Sequence, residues 1–448
     1  MIRAGVFKKR AMSILKSLVR TASAAVIMLT AMSCNKSNTE EPVNENRRVL
    51  LFYECGFNNL GSYLRKNMAS LEEGYIPKNG EDVVLVYSRM SRGNTDYTPT
   101  ESCVRRLYKN SKGKVISDTL TVFGSDVIAA SPSTMAKVLD YVRNEFPAKG
   151  YGMVFSSHGS GWLPAGYFSS PSKFEQEHKD ELDEDLALGR AIPAGAYRLP
   201  VPEGDLADTD PYYGMTRSIG QDFIRNSYYG HEMDIREFAS GIPYRLDYIL
   251  FDMCYTAGVE VAYGLKDKAD YLGLSPAEVM GDGMFDYTKL TTFLLGGASP
   301  DYAGLFKDSF DMYDKQSGVY RSSTVNVIRT DGIENLAAVC SGLINEYSDT
   351  LRHVNPNNIQ GYYRSNRHYF FDLEDIFAKC GATEAELDRL GDAIDRCVIY
   401  KNATPRFMNE FSIDKYSGFS MYLPCAGTEL LDLYYKKEAW NDAVELVK

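Results

Sequence analysis

Positive charge is in short supply in this chain. Of 448 residues, 49 are Lys or Arg against 60 Asp or Glu, a formal net charge of −11. Nucleic-acid binding needs clustered Lys and Arg, so this balance argues against DNA or RNA as a partner. Histidine is scarcer still, with 5 residues, so chemistry that needs an imidazole has few places to occur. The 8 cysteines are irregularly spaced and form no CxxC pair, which leaves no zinc site to read. Some of them could pair in an exported protein, and buried free thiols are an equally good reading. EF-hand-like spacing is absent, and so are internal repeats. No apolar run is long enough to cross a bilayer comfortably.

What is present begins with a leader. Arg3, Lys8, Lys9, Arg10, Lys16 and Arg20 precede a mostly small and apolar run from Ala22 to Met32. A basic segment followed by a short apolar one predicts a signal peptide over residues 1–33. Ala31-Met32-Ser33-Cys34 resembles a bacterial lipobox, with Ala31 where leucine is usual. Cys34 is therefore the expected lipidation site and residues 34–46 a polar tether to the membrane. The expectation is an exported bacterial lipoprotein at the outer membrane or cell surface, with simple secretion as the alternative.

Beyond the tether, Arg48–Glu54 and Glu81–Arg89 are apolar runs of the kind that form strands buried on both faces. A helical stretch near 60–72 separates them, which predicts a parallel βαβ unit. Val104–Lys109 and Val115–Phe123 predict a hairpin, and Ser131-Pro132 opens a helix to about Phe146. Residues 163–231 lose regular patterning. They carry an acidic cluster, Glu175 to Asp185, with isolated cations at Lys179, Arg190 and Arg198. An insert of this length is usually functional or disordered. After Pro300 helices dominate, with strands expected over 322–328 and 416–424 and a helical end over 429–447. The expected division is an α/β core over 47–300 and a mainly helical, mixed subdomain over 301–448.

Two short strands end in chemistry. Tyr151–Ser157 runs into His158-Gly159-Ser160-Gly161-Trp162, and Leu246–Met253 runs into Cys254 and a small-residue turn. The carboxyl ends of parallel strands form the ligand crevice of an α/β sheet, the right place for a thiol nucleophile. Gly159 lets a backbone N–H approach a substrate carbonyl, and the N–H of Cys254 lies at the turn into the next helix. Both are candidate oxyanion donors. Asp252 is two residues before Cys254, so the two side chains share a face of the strand. A carboxylate there disfavours a free thiolate, which points to substrate selection and to Arg or Lys as the side chain bound. Taken singly, a strand-end cysteine is ordinarily core packing and a lone histidine a structural hydrogen-bonder. Their conjunction with Asp252 carries the reading of a Cys–His hydrolase.

These residues resemble the clostripain-type cysteine peptidases of the caspase-like clan. The likeness lies in Ser157–Trp162, Phe251–Cys254, Gly258–Tyr263, Asn58-Asn59-Leu60, Ser275 to Gly283 and Ser420–Pro424. It spans about 47 to 424. The resemblance implies a caspase-like three-layer α/β sandwich with a largely parallel central sheet. It implies His158 and Cys254 as the dyad, Gly159 and Cys254 N–H as oxyanion donors, and Asp252 at the base of the specificity pocket. Peptides or proteins with Arg or Lys at the cleavage position are the implied substrates. Self-cleavage between the two strands is implied, with Arg190, then Arg198 and Lys179, as candidate positions. No cofactor is required, and calcium enters through the resemblance alone. Two departures stand out: the insert is long, and Tyr255-Thr256-Ala257 replaces the expected Leu-Met-Gly type. A non-catalytic surface binding lipoprotein on the same scaffold is the alternative. Another thiol hydrolase or transferase, with Asp252 holding a different amine, is a third.

Overall fold

The first buried run forms strand β1, Arg48–Gly56, and its alternation builds the architecture. Val49, Leu51 and Tyr53 enter one hydrophobic layer and Leu50 and Phe52 the other. A strand apolar on both faces is stable only when both are covered. The first layer is covered by the helices Pro132–Glu145, Ile235–Ser240, Val259–Gly264, Ile333–Glu346 and Glu384–Cys397. The second is covered by Gly61–Glu73, Tyr287–Leu295 and Tyr302–Asp314. The result is the expected three-layer sandwich. The structure is a computed structural model that describes residues 46–93, 98–124, 126–168, 170–187, 219–223, 230–364 and 366–448.

The other strands are β2 (Val83–Met90), β3 (Ser102–Lys109), β4 (Val115–Gly124), β5 (Gly150–Ser156), β6 (Ile219–Phe223), β7 (Gly230–Met233), β8 (Leu246–Asp252), β9 (Ala269–Leu274), β10 (Thr324–Arg329), β11 (Phe371–Asp372) and β12 (Val398–Ala403). The central sheet has nine strands in the order β12-β10-β9-β8-β5-β1-β2-β3-β4. Its middle is parallel, β2 on β1, β1 on β5, β5 on β8 and β8 on β9. Both margins are antiparallel. Strands β10 and β12, from beyond residue 300, belong to this same sheet.

Local signals account for several boundaries. Ser131 Oγ accepts from Thr134 N–H and Pro132 occupies the first helical turn, as the sequence predicts. Three expectations need correction. The stretch from Val259 to about Ala269 has a helical pattern in the sequence, but the helix ends at Gly264, because the chain must turn to enter β9 at Ala269. The expected strand over 416–424 is reduced to Ser420–Met421, which pairs with β11. The expected C-terminal helix is two, Glu429–Tyr435 and Ala439–Val444.

The insert is also less irregular than its sequence suggests. Helices Pro171–Glu177 and Lys179–Ala187 form its first part, with Asp180 and Glu181 in the first turn of the second. Acidic side chains at a helix N-terminus favour the helix through its dipole. Strands β6 and β7 pair at its far end. Cys55, Cys103, Cys254, Cys340, Cys380, Cys397 and Cys425 are all free thiols. No helix among the described residues is long and apolar enough to cross a membrane. Cys34, Arg190 and Arg198 lie outside the described residues.

Candidate active site

Sheet register creates the site. Glu54 of β1 pairs with Ser156 of β5, and Ser156 pairs with Asp252 of β8. These three residues form a row at the carboxyl ends of adjacent parallel strands. The chain leaves β5 through Ser157 to His158 and leaves β8 through Met253 to Cys254. His158, Asp252 and Cys254 consequently line one cleft of about 350 Å³, together with Asn59, Asn67, Glu278, Val279, Gly283, Tyr313 and others. The two strand ends also touch through their backbones. A Cβ on Gly159 would stand 2.7 Å from the carbonyl oxygen of Cys254. Only glycine permits that approach.

His158 is 2 % exposed. Its Nε2 lies 2.5 Å from Asn59 Oδ1. An amide oxygen can only accept, so Nε2 is the donor in this contact. Asn59 comes from the turn after β1, a stretch visible in the sequence only as a family likeness. Behind it, Asn58 Nδ2 donates to the carbonyl of Gln221 at 2.9 Å, and Gly220 N–H donates to the carbonyl of His158 at 3.1 Å. The end of the insert is thus stitched to the histidine turn. A buried ion pair, Arg89 Nη1 to Asp222 Oδ2 at 2.9 Å, anchors the same strand.

Cys254 is 9 % exposed. Its sulfur accepts from Val279 N–H at 3.2 Å and faces the Val279 carbonyl at 3.8 Å. Burial pushes the thiol pKa well up, the charge of Glu278 pushes it further, and the Val279 hydrogen bond opposes both. The thiol of Cys254 is therefore held in its neutral form. The helix that follows begins at Val259, five positions on. The Cys254 N–H therefore stands outside the first turn of that helix, within which the dipole field falls off.

Asp252 lines the cleft with both oxygens engaged. Met284 N–H donates to Oδ1 at 2.6 Å and Tyr287 O–H to Oδ2 at 2.6 Å. Burial raises its pKa, and these two donors oppose the rise. Each oxygen keeps capacity for one further donor. Gly283 has φ +96°, and a Cβ there would stand 2.8 Å from Asp252 Oδ2. Asn67 Nδ2, beside the same point, is buried without a hydrogen-bond partner. Tyr287, Met284 and Asn67 lie outside the motifs that the sequence singles out, and Val279 enters there only within the Ser275 to Gly283 likeness. Their distance in the chain from either motif left no local signal for them.

Lys179, the one self-cleavage candidate within the described residues, opens the helix Lys179–Ala187 and pairs with Asp183 one turn on. Among the described residues no group of three or more His, Cys, Asp or Glu could hold a metal ion.

A sequence model described as the clostripain family matches residues 52–182 and 202–445. An inactive zymogen C11 protease from Parabacteroides distasonis is similar in structure, with a TM-score of 0.68 and 24% identity over 89% of this chain and 98% of that one. A secreted C11 cysteine protease from Bacteroides thetaiotaomicron, in complex with an irreversible peptide inhibitor, gives 0.67 and 21% over 89% and 99%. A second structure of a secreted C11 cysteine protease from the same organism gives 0.65 and 24% over 90% and 100%. These three likenesses concern the fold. No match was found among curated proteins.

Proposed function

The chain belongs to the clostripain family of cysteine peptidases, and from that premise we propose that it is an exported endopeptidase cleaving after Arg or Lys through Cys254 and His158. The observation that carries the reading is the meeting of His158, Asp252 and Cys254 in one cleft at adjacent strand ends. Because the thiol rests neutral, the imidazole acts as general base during attack and not as partner of a preformed thiolate. Sγ forms a bond to the scissile carbonyl carbon while its proton passes to His158. The tetrahedral oxyanion is held by the N–H groups of Gly159 and Cys254. Collapse expels the amine, which takes the proton from His158 and leaves a thioester. Water, deprotonated by His158, then releases the acid and restores the thiol.

Asp252 holds the cationic side chain, using the acceptor capacity that Met284 and Tyr287 leave. Processing within 163–231 after Arg190, Arg198 or Lys179, and anchoring through a lipid on Cys34, complete the proposal. Secretion of the Bacteroides relatives supports export. Purified protein is expected to cleave arginyl or lysyl reporter peptides. Cys254→Ala should lose that activity by more than about 10³-fold and should stay uncut in the insert. Full activity in Cys254→Ala would overturn the proposal. The capping of Sγ by Val279 favours, as second reading, a non-catalytic binding lipoprotein. A Cys254 that resists alkylation even after nicking of the insert would select it.

A further inference from the structure

The residue after the nucleophile has an unusual backbone. Tyr255 has φ +56°, in the left-handed region that a bulky aromatic residue rarely adopts. Such a conformation persists only where surrounding contacts over-determine it. Here the ring of Tyr255 stacks on Phe370, with centroids 4.4 Å apart. Its N–H donates to the carbonyl of Ala277 at 2.9 Å, and its hydroxyl donates to Glu278 Oε1 at 2.7 Å. Tyr255 is also the start of the stretch that departs from the family pattern.

Glu278 in turn is gripped by a guanidinium. Arg364 Nε donates to Oε1 at 3.1 Å and Nη2 to Oε2 at 2.9 Å. The two side chains are only 3% and 10% exposed. A planar bidentate pair fixes direction as well as distance, which a lysine could not reproduce. The residue after Glu278 is Val279, whose N–H donates to the sulfur of Cys254. One carboxylate therefore ties down both flanks of the nucleophile: the strained residue that follows it and the amide that caps its sulfur.

We propose that Arg364 is a positioning residue that, through Glu278, sets the Tyr255 turn and the Val279 amide around the Cys254 sulfur and there offsets the negative charge that Glu278 brings beside it. The proposal rests on the reading of Cys254 as nucleophile. Arg364 never touches substrate in this scheme. The charged groups acting on the thiol are Glu278 and Asp252, which disfavour its ionisation, and Arg364, which favours it. His158 stands across the cleft. Removing Arg364 and removing the charge of Glu278 should therefore change thiol reactivity in opposite directions. A pair that only props up the loop would loosen it from either side and change both variants alike.

The test is the rate of iodoacetamide alkylation at Cys254 in the full chain at pH 8, read by mass spectrometry of its peptide, with thermal melts beside it. Arg364→Met should react about tenfold more slowly than wild type, the effect of a one-unit rise in thiol pKa. Glu278→Gln should react at least as fast as wild type. A shift of both in one direction, or an unchanged Arg364→Met, would overturn the proposal. Should Arg364→Met fail to fold, Tyr255→Phe removes one hydroxyl only. It should lower kcat on an arginyl reporter about tenfold with KM little changed, since positioning acts on the chemical step. Unchanged kcat there would overturn the proposal as well. Activity surviving in Cys254→Ala would instead overturn the underlying assignment of the nucleophile.

Discussion

Glu54 and Asp252 are two carboxylates in one row of the sheet, separated by Ser156, and they have opposite fates. Asp252 lines the cleft and receives two donors, Met284 N–H and Tyr287 O–H. Glu54 is fully buried and receives only the Ser156 hydroxyl at 3.4 Å, while its Oε2 has no hydrogen-bond partner. Burial raises the pKa of both, and the charge of Asp252 raises that of Glu54 further. A carboxylate with two close donors can stay ionised in a cleft, whereas a buried one with a single long hydrogen bond is driven toward its neutral form. The difference teaches that position in the sheet does not assign a role; the donors around each oxygen do.

The largest expected effect tests the charged member. Asp252→Asn should lower kcat/KM for arginyl and lysyl reporters by about 10³-fold, in the range for removing one partner of a buried charge pair. The loss on a norleucyl reporter should be far smaller. Equal losses on all three would break the comparison, because Asp252 would then be structural like Glu54.

Gly283→Ala comes next. Its methyl would press on Asp252 Oδ2 and would demand a left-handed φ of an alanine. A loss of about 10²-fold in kcat/KM is expected, carried mainly by KM for basic substrates. Steady-state kinetics with paired Arg and norleucine reporters measures it.

Tyr287→Phe is a smaller step. It removes one donor from Asp252 and the link to Ser156. The carboxyl pKa should rise, so activity on basic reporters should fall about tenfold, and more steeply as the pH is lowered. A pH profile of unchanged shape would count against an ionised Asp252.

Glu54→Gln should be the mildest for activity, within about threefold of wild type, because the side chain is held neutral. Its signature is in stability. A carboxyl whose folded pKa is raised contributes stability that is complete below its unfolded pKa, near 4.5. That stability is lost as pH rises toward the folded value. Glu54→Gln should therefore flatten the decline in thermal midpoint between about pH 5 and 8. A decline as steep as that of wild type would show that Glu54 is ionised in the folded protein.

The motifs around Cys254 were readable because they are local. Asp252 and Cys254 are two apart on a strand, so period-two geometry put them on one face, and the structure places both in the cleft. The buried strands were readable because a run such as Val49–Tyr53 fits only a sheet covered on both sides. The insert read as irregular because its acidic residues hide a helix of marginal length, Lys179–Ala187, that a window of polarity does not distinguish from loop. The C-terminal strand was overestimated because Tyr416–Pro424 alternates like a strand while only Ser420–Met421 finds a partner. Arg364 was invisible, since nothing in its neighbourhood marks it as the mate of Glu278, 86 positions away.

The sequence by itself determined the class of fold, the two strand ends and the residue types that a thiol peptidase would need there. Hydrophobic period and local turn chemistry suffice for that, because both act over a few residues. Tertiary structure alone decided that Glu54 stands beside Ser156 and Asp252, that Tyr287 and Met284 donate hydrogen bonds to one carboxylate and not the other, and that Arg364 grips Glu278 behind Cys254. Those facts depend on register between strands and on loops brought together from distant parts of the chain. Hydrogen bonds of a few ångströms have no signature in a pattern of neighbours along it.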